Sequence, residues 1–236
     1  MYDDAIRVED GEGDMILGIY GAGGLGRELY DVAVRRNGVS HRWSDIVFID
    51  DFSEEGAFFG TSRMHLDSLS KSAASCECIV AVGEPSDREK LFGRLAERNF
   101  ELATLIDPTA IVSPTAKIGA GSIVCEYSTI HTCVEIGRNT LIQPYCTIGH
   151  DIKVGDHSVF SAYFAPGGEA TFGSRVYAGM HASVLEKLTV GDDAVIGMGA
   201  AVFRDVPAGA TVVGNPARIT RGNDEHKVFA KDGNRG

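Results

Sequence analysis

The sequence predicts an α/β Rossmann-like domain followed by a left-handed parallel β-helix. Three observations predict it. A glycine-rich loop joins an apolar strand to a helical stretch near the N-terminus. Strands then alternate with helices as far as residue 104. Beyond that point an apolar residue recurs at every sixth position.

Met15 to Tyr20 reads as a short apolar strand running into Gly21-Ala-Gly-Gly-Leu-Gly26. In the following Arg27–Arg36, Leu29, Val32 and Ala33 fall on one face at helical spacing. Ile46–Ile49 reads as a second strand, ending in Asp50-Asp51. Cys78–Val82, closed by Gly83, is a third, and Asp87–Asn99 is a helix. Strands alternating with helices imply a small parallel sheet that takes its ligand at the carboxyl ends of the strands.

The six-residue series runs through Ile106, Val112, Ile118, Val124, Ile130, Ile136, Ile142, Ile148, Val154 and Phe160. It continues through Pro166, Phe172, Ala178, Val184, Val190, Ile196 and Val202. Only Pro166 and Ala178 depart from Ile, Val or Phe, and no insertion breaks the register. A period of six fits neither a helix nor simple strand alternation. It fits a coil of three short faces, each turning one large and one small side chain inward, which is the hexapeptide pattern of a parallel β-helix. The expected organisation is therefore an acidic, disordered segment 1–14, a Rossmann-like domain 15–104, a β-helix with a capping arm 105–219, and a polar, disordered tail 220–236.

The 236 residues carry 44% apolar and 23% charged side chains, ordinary for a globular protein, and a net charge of −11. That charge argues against a nucleic-acid partner, which needs a basic surface. No apolar run approaches the roughly 20 residues of a membrane span. Met1–Asp14 lacks the basic start and apolar stretch of a signal peptide. Five cysteines (Cys76, Cys78, Cys125, Cys133, Cys146) match no disulfide or zinc spacing, so the expectation is a cytoplasmic protein with reduced thiols and no metal.

Gly21-x-Gly23-x-x-Gly26 between a strand and a helix is a dinucleotide-type fingerprint, with acidic residues ending the second strand at the expected distance. Its backbone N–H groups and helix dipole suit a diphosphate. Nothing further along resembles a hydride-transfer site, so a nucleotide sugar is favoured over NAD. Asp50 and Asp51 either accept hydrogen bonds from ribose or base or stand as solvated strand-end carboxylates.

The two halves together resemble the bacterial hexapeptide-repeat sugar acyltransferases, which N-acetylate nucleotide-linked aminosugars, as in bacillosamine-type pathways, or O-acetylate sialic acid. The resemblance covers residues 15–219. It rests on Gly21–Gly26, Phe48-Ile-Asp-Asp51, Val82-Gly83 with Arg88 nearby, Gly149-His-Asp151 and Val212-Val-Gly-Asn-Pro-Ala-Arg218. It implies a homotrimer that uses acetyl-CoA to acetylate a UDP-, GDP- or dTDP-linked 4-amino-sugar in glycan biosynthesis. Gly23, Gly24, Leu25, Asp50, Asp51 and Gly83 would bind the nucleotide sugar, and Met180 and Met198 would line the CoA groove.

Of seven histidines (His41, His65, His131, His150, His157, His181, His226), His150 with Asp151 matches the family's general base and orienting carboxylate. Attack of an amine or hydroxyl on a thioester needs such a base. Three hexapeptides make an 18-residue coil, so Gly168 stacks beside His150, and its N–H is expected to serve as an oxyanion donor. Two family histidines are replaced here, by Val159 nine positions after His150 and by Leu25 in the glycine loop. His157 is the nearest candidate to compensate for the first.

Other readings are a sialic-acid-type O-acetyltransferase and a non-catalytic nucleotide-sugar-binding scaffold, against which the His150–Asp151 pair speaks. A γ-type carbonic anhydrase would need histidines converging across coils. Glu186 stands two coils beyond His150, and His131 lies nineteen rather than eighteen residues before it.

Overall fold

The computed structural model of the chain describes residues 15–71, 75–223 and 226–229. The expectation of disorder for 1–14 falls outside them. Strand β1 (Ile16–Tyr20) leads into α1 (Gly24–Ser40), followed by β2 (Asp45–Ile49), β3 (Gly56–Phe58), β4 (Thr61–Met64), α2 (Leu66–Ser70), β5 (Cys76–Val80), α3 (Pro85–Glu97) and β6 (Glu101–Leu102). The six strands form one sheet in the order β3-β4-β2-β1-β5-β6. Only β3 and β4 pair antiparallel, and β1 lies in register between β2 and β5. The chain therefore leaves β1 toward one side for β2 and returns on the other for β5. The crevice at the carboxyl ends of β1 and β5 is the topological switch point of the sheet.

Seventeen two-residue strands follow, from Leu105–Ile106 to Ala201–Val202. Most pair in parallel with the strand eighteen residues on, as Thr129 does with Thr147 and Ile130 with Ile148, and the ladder of that face breaks between Thr147–Ile148 and Ala165–Pro166. The second residue of each strand points inward, which is the physical content of the six-residue period. Ile130, Ile142, Ile148, Phe160, Val190 and Ile196 are all sealed in one core. Phe164 stands where a small residue is usual, and it packs with Phe160 and Phe172 at ring-centre distances of 4.7 and 5.8 Å. All three rings are buried, each contributing roughly 1.5–3 kcal/mol by burial.

Between strands the chain turns three corners per coil, and the second residue of most corners has a positive φ. Tyr127, Cys133, Asn139, Tyr145, Asp151, His157 and Tyr163 all lie between +52° and +64°. This conformation is costly for residues with a Cβ, and a hydrogen bond to the previous coil holds it, as from Asp151 N–H to Thr132 O (3.0 Å).

The three faces of the prism differ. One displays Leu105, Ile123, Leu141 and Val159, which share a buried cluster with Leu29, Val32 and Ala33 of α1. A second displays Lys117, Glu135 and Lys153. The third displays Ile111, Thr129, Thr147, Ala165, Ser183 and Ala201, none of them charged.

The α/β domain is fastened to its face by polar contacts as well. Arg35 bonds Asp107 (2.7 Å) and Glu126 (3.0 Å). Arg88, wholly buried, donates to Val80 O, Val82 O, Asn139 O and Asn139 Oδ1 at 2.8–3.1 Å. Beyond the last coil, Ala210–Val213 pairs with Arg218–Gly222 as an antiparallel cap. The described part of the tail, expected to be disordered, continues that cap and returns to the α/β domain, where Val228 and Phe229 donate to Glu84. Main-chain donors to a buried carboxylate are a contact that composition does not reveal.

Candidate active site

The glycine loop divides its glycines between architecture and approach. A Cβ at Gly21 (φ +124°) would stand 2.7 Å from Ala81 O, and one at Gly26 would collide with Gly21 O. These two allow the tight turn and the close packing of α1 on the sheet. At Gly23 and Gly24 a Cβ would meet nothing within 4 Å, and both are exposed. They leave the amino end of a 17-residue helix open to a ligand, with no side-chain cap on its first N–H groups.

The two acidic residues after β2 differ in role. Asp51 is not a free acceptor: Oδ2 takes bonds from Tyr20 Oη and Arg94 (2.8 Å), and Oδ1 takes Leu66 N–H (2.9 Å). Burial pushes its carboxyl upward, but the Tyr20, Leu66 and Arg94 contacts outweigh that and hold it below the usual range. Asp51 thus ties α2 and α3 to the strand ends, a contact that its expected nucleotide-binding role did not include. Asp50 bonds only its own turn, through Phe52 N–H (3.0 Å) and Ser53 Oγ (2.7 Å), and is half-buried. Gly83 lies just beyond β5, beside the same crevice. Leu25 lines a cavity of about 380 Å³ between α1 and the prism, shared with Glu28, Val32, Cys125, Gln143 and Met180.

His150 and Asp151 occupy a corner of the β-helix. His150 Nδ1 lies 2.8 Å from Asp151 Oδ2, both side chains more than half exposed. Gly168 is the next residue of that corner. A Cβ on it would stand 2.5 Å from His150 Nε2. Its neighbour Glu169 donates to His150 O (2.8 Å), while the Gly168 N–H has no partner among the described residues. The coil register therefore brings His150, Asp151 and Gly168 together as expected.

Met180 and Met198 sit at a different corner, both exposed. They stand beside the ladder Tyr127, Tyr145, Tyr163 and His181, whose rings stack at 4.6–5.2 Å. Val159 is buried on the face that α1 covers. His157 does not compensate for it. It is buried at the third corner, its Nδ1 accepting from Asn139 Nδ2 (2.9 Å) and its ring edge-on to Phe92 of α3. Asn139, which belongs to no motif legible in the sequence, completes this link by donating to Arg88 O (3.0 Å). Its only sequence signal is Arg88 itself, an arginine on a buried helix face.

The α/β domain covers one face of the prism, and the His150 corner is the edge opposite that face. Within one chain, Leu25 of the glycine loop reaches the Met180 corner and not the His150 corner, so the loop and His150 stand at different edges of the prism. Among the described residues no cluster of three or more His, Cys, Asp or Glu is placed to hold a metal ion, and no helix is long and apolar enough to cross a membrane.

The chain has the two-part fold of the hexapeptide-repeat acyltransferases. Residues 16–95 match the PglD N-terminal domain family, and residues 133–163 match the bacterial transferase hexapeptide family. The acetyltransferase domain of PglB from Neisseria gonorrhoeae FA1090, in complex with acetyl coenzyme A, superposes with a TM-score of 0.82 at 29% identity, covering 88% of this chain and 100% of that one. WeeI from Acinetobacter baumannii AYE gives 0.80 at 29% identity over 87% and 100%. A variant of perosamine N-acetyltransferase from Caulobacter crescentus, in complex with CoA and GDP-perosamine, gives 0.79 at 25% identity over 89% and 98%. The resemblance to the hexapeptide-repeat sugar acyltransferases is thereby borne out in both halves of the chain.

Proposed function

We propose that the chain is an acetyl-CoA-dependent N-acetyltransferase acting on the amine of a nucleotide-linked 4-amino-sugar. The observation that carries this is the corner itself: an imidazole tied to Asp151 through Nδ1, its Nε2 against a residue without a side chain. With Nδ1–H donated to the Asp151 carboxylate, Nε2 keeps its lone pair. As the sugar nitrogen attacks the thioester carbonyl, Nε2 takes its proton, and the Gly168 N–H receives the developing oxyanion. Collapse of that intermediate forms the amide and expels the CoA thiolate, which takes back the proton. No acyl-enzyme is needed.

The nucleotide diphosphate lies on Gly23, Gly24 and Leu25, with Asp50 and Gly83 at the crevice rim. Met180 and Met198 flank the CoA. The bound acetyl coenzyme A of the PglB domain and the CoA and GDP-perosamine of the perosamine enzyme support both substrates. Because the loop and His150 stand at different edges of one prism, each site draws on two chains of a homotrimer. The uncharged third face, with exposed Ile111, Leu185 and Phe203 near its ends, supplies the surface for that association. The cytoplasm, with its CoA thioesters and reducing conditions, suits this chemistry and the five free thiols.

The test is CoA release, followed with a thiol reagent, on mixing acetyl-CoA with nucleotide-linked 4-amino-sugars. Release that requires the free amine supports the reading. Release no faster than thioester hydrolysis contradicts it.

A further inference from the structure

We propose that Glu84 reads the base of the nucleotide, that this base is guanine, and that the C-terminal segment His226–Phe229 stands in for it when no nucleotide is bound. This rests on the acceptor reading above and names the nucleotide that reading leaves open.

Glu84 follows β5 and Gly83 at the switch point of the sheet. The contact between Gly21 and Ala81 puts the glycine loop on the adjoining strand end. Its side chain is 8% exposed and has no ion pair among the described residues. It is the N-cap residue of α3, yet its side chain makes no capping hydrogen bond. Both oxygens are spent on two successive main-chain donors of the tail instead. Val228 N–H reaches Oε1 and Oε2 at 3.1 and 2.9 Å, and Phe229 N–H reaches Oε2 at 2.8 Å. A buried carboxylate without a cation needs such donors.

The tail that supplies them is lightly held. Phe229 lies edge-on to Tyr177 at 5.3 Å, and its ring comes within 3.9 Å of where a Cβ on Gly83 would stand, but it is 55% exposed. His226 pairs with Asp193 at 3.1 Å, with the ring largely in solvent. The segment is thus poised to be exchanged for a ligand offering the same pattern.

The chemistry selects that ligand. Phosphates go to the loop amides and are repelled by a carboxylate, so Glu84 faces the nucleoside, and a pair of parallel N–H donors, as the tail supplies, matches a base edge. Guanine presents N1–H and N2–H side by side, the donor pair that two consecutive amides present here. Uracil and thymine offer one N3–H flanked by carbonyl oxygens, which a carboxylate opposes.

Calorimetric titration of the full chain with GDP, UDP and dTDP tests this. GDP should bind at least about tenfold tighter than the others, the worth of one paired donor edge. Glu84→Gln should erase that preference, weakening GDP by about tenfold while moving UDP little. Phe229→Ala, which keeps Glu84 and both main-chain donors but removes the ring that anchors the segment, should tighten GDP by weakening its competitor. A preference for UDP or dTDP, an unchanged ratio in Glu84→Gln, or weaker GDP binding in Phe229→Ala would each overturn the proposal while leaving the acceptor class standing. Failure to bind any of the three would overturn both.

Discussion

Gly168 lies against the ring of His150, one coil further on, so close that a Cβ would stand 2.5 Å from Nε2 and 2.6 Å from Cε1. Gly168→Ala should therefore swing the imidazole off its bond to Asp151 without unfolding the coil. We expect kcat to fall by about 10- to 100-fold, part of the usual worth of a general base, with acetyl-CoA binding little changed. Steady-state kinetics beside a binding titration check this, and an unaltered kcat would mean that the ring position is not used.

The placement of the glycine loop and His150 at different edges of the prism predicts complementation between chains. His150→Ala lacks the base. Gly24→Asp puts a carboxylate where the diphosphate would lie, at a position where a Cβ meets no atom within 4 Å. Each variant alone should be inactive. Unfolding and refolding them together should restore about a quarter of wild-type turnover, the statistical share of two-chain sites with both parts intact. No recovery would place both parts of the site on one chain.

Arg88 is wholly buried with only carbonyl and amide oxygens around it, and burial pushes its guanidinium down to about 9. Arg88→Met removes every donor and leaves Val80, Val82 and Asn139 acceptors unmet. The expected loss is about 3 kcal/mol or more in urea unfolding. Arg88→Lys should recover little, since one ammonium cannot span both segments.

His157 gives the interface a dependence on pH. Burial is the chief influence and holds its imidazole below 6.5, with Glu89 and Asp156 offsetting part of that. The unfolded chain then takes up the proton first. Stability is at its full value above pH 6.5 and falls as the pH drops through the folded-state value. The lowered carboxyls of Asp107 and Asp193 act only below their ordinary 3.8, in a separate window. Melting temperatures measured between about pH 7.5 and 5 should decline in the wild type and flatten in His157→Gln. Parallel curves would remove His157 as the cause.

How far the sequence carries is visible in the same residues. Ile130 to Val202 declare the β-helix because every coil repeats the same demand for an inward apolar side chain. The stacking of Gly168 on His150 follows from that repeat by counting eighteen. Contacts between distant segments leave no such trace. Asp51 reads as a strand-end carboxylate, yet Tyr20, Leu66 and Arg94, between 15 and 43 residues away, have already taken its lone pairs. His157 reads as a neighbour of His150 in sequence, but seven residues along a six-residue period carry it to another corner, under α3. The β3–β4 hairpin was not legible, since its exposed Gly56–Met64 shows little apolar alternation.

The most direct measurement of the central proposal is mass spectrometry of the products formed from acetyl-CoA and a panel of UDP-, GDP-, dTDP- and CMP-linked sugars, aminosugars included. The prediction is an acetyl gain on a nucleotide-linked 4-amino-sugar that resists hydroxylamine, slowed by about 10² to 10⁴-fold in His150→Ala. A hydroxylamine-labile gain on a sugar without a free amine, or equal rates in wild type and His150→Ala, would contradict it.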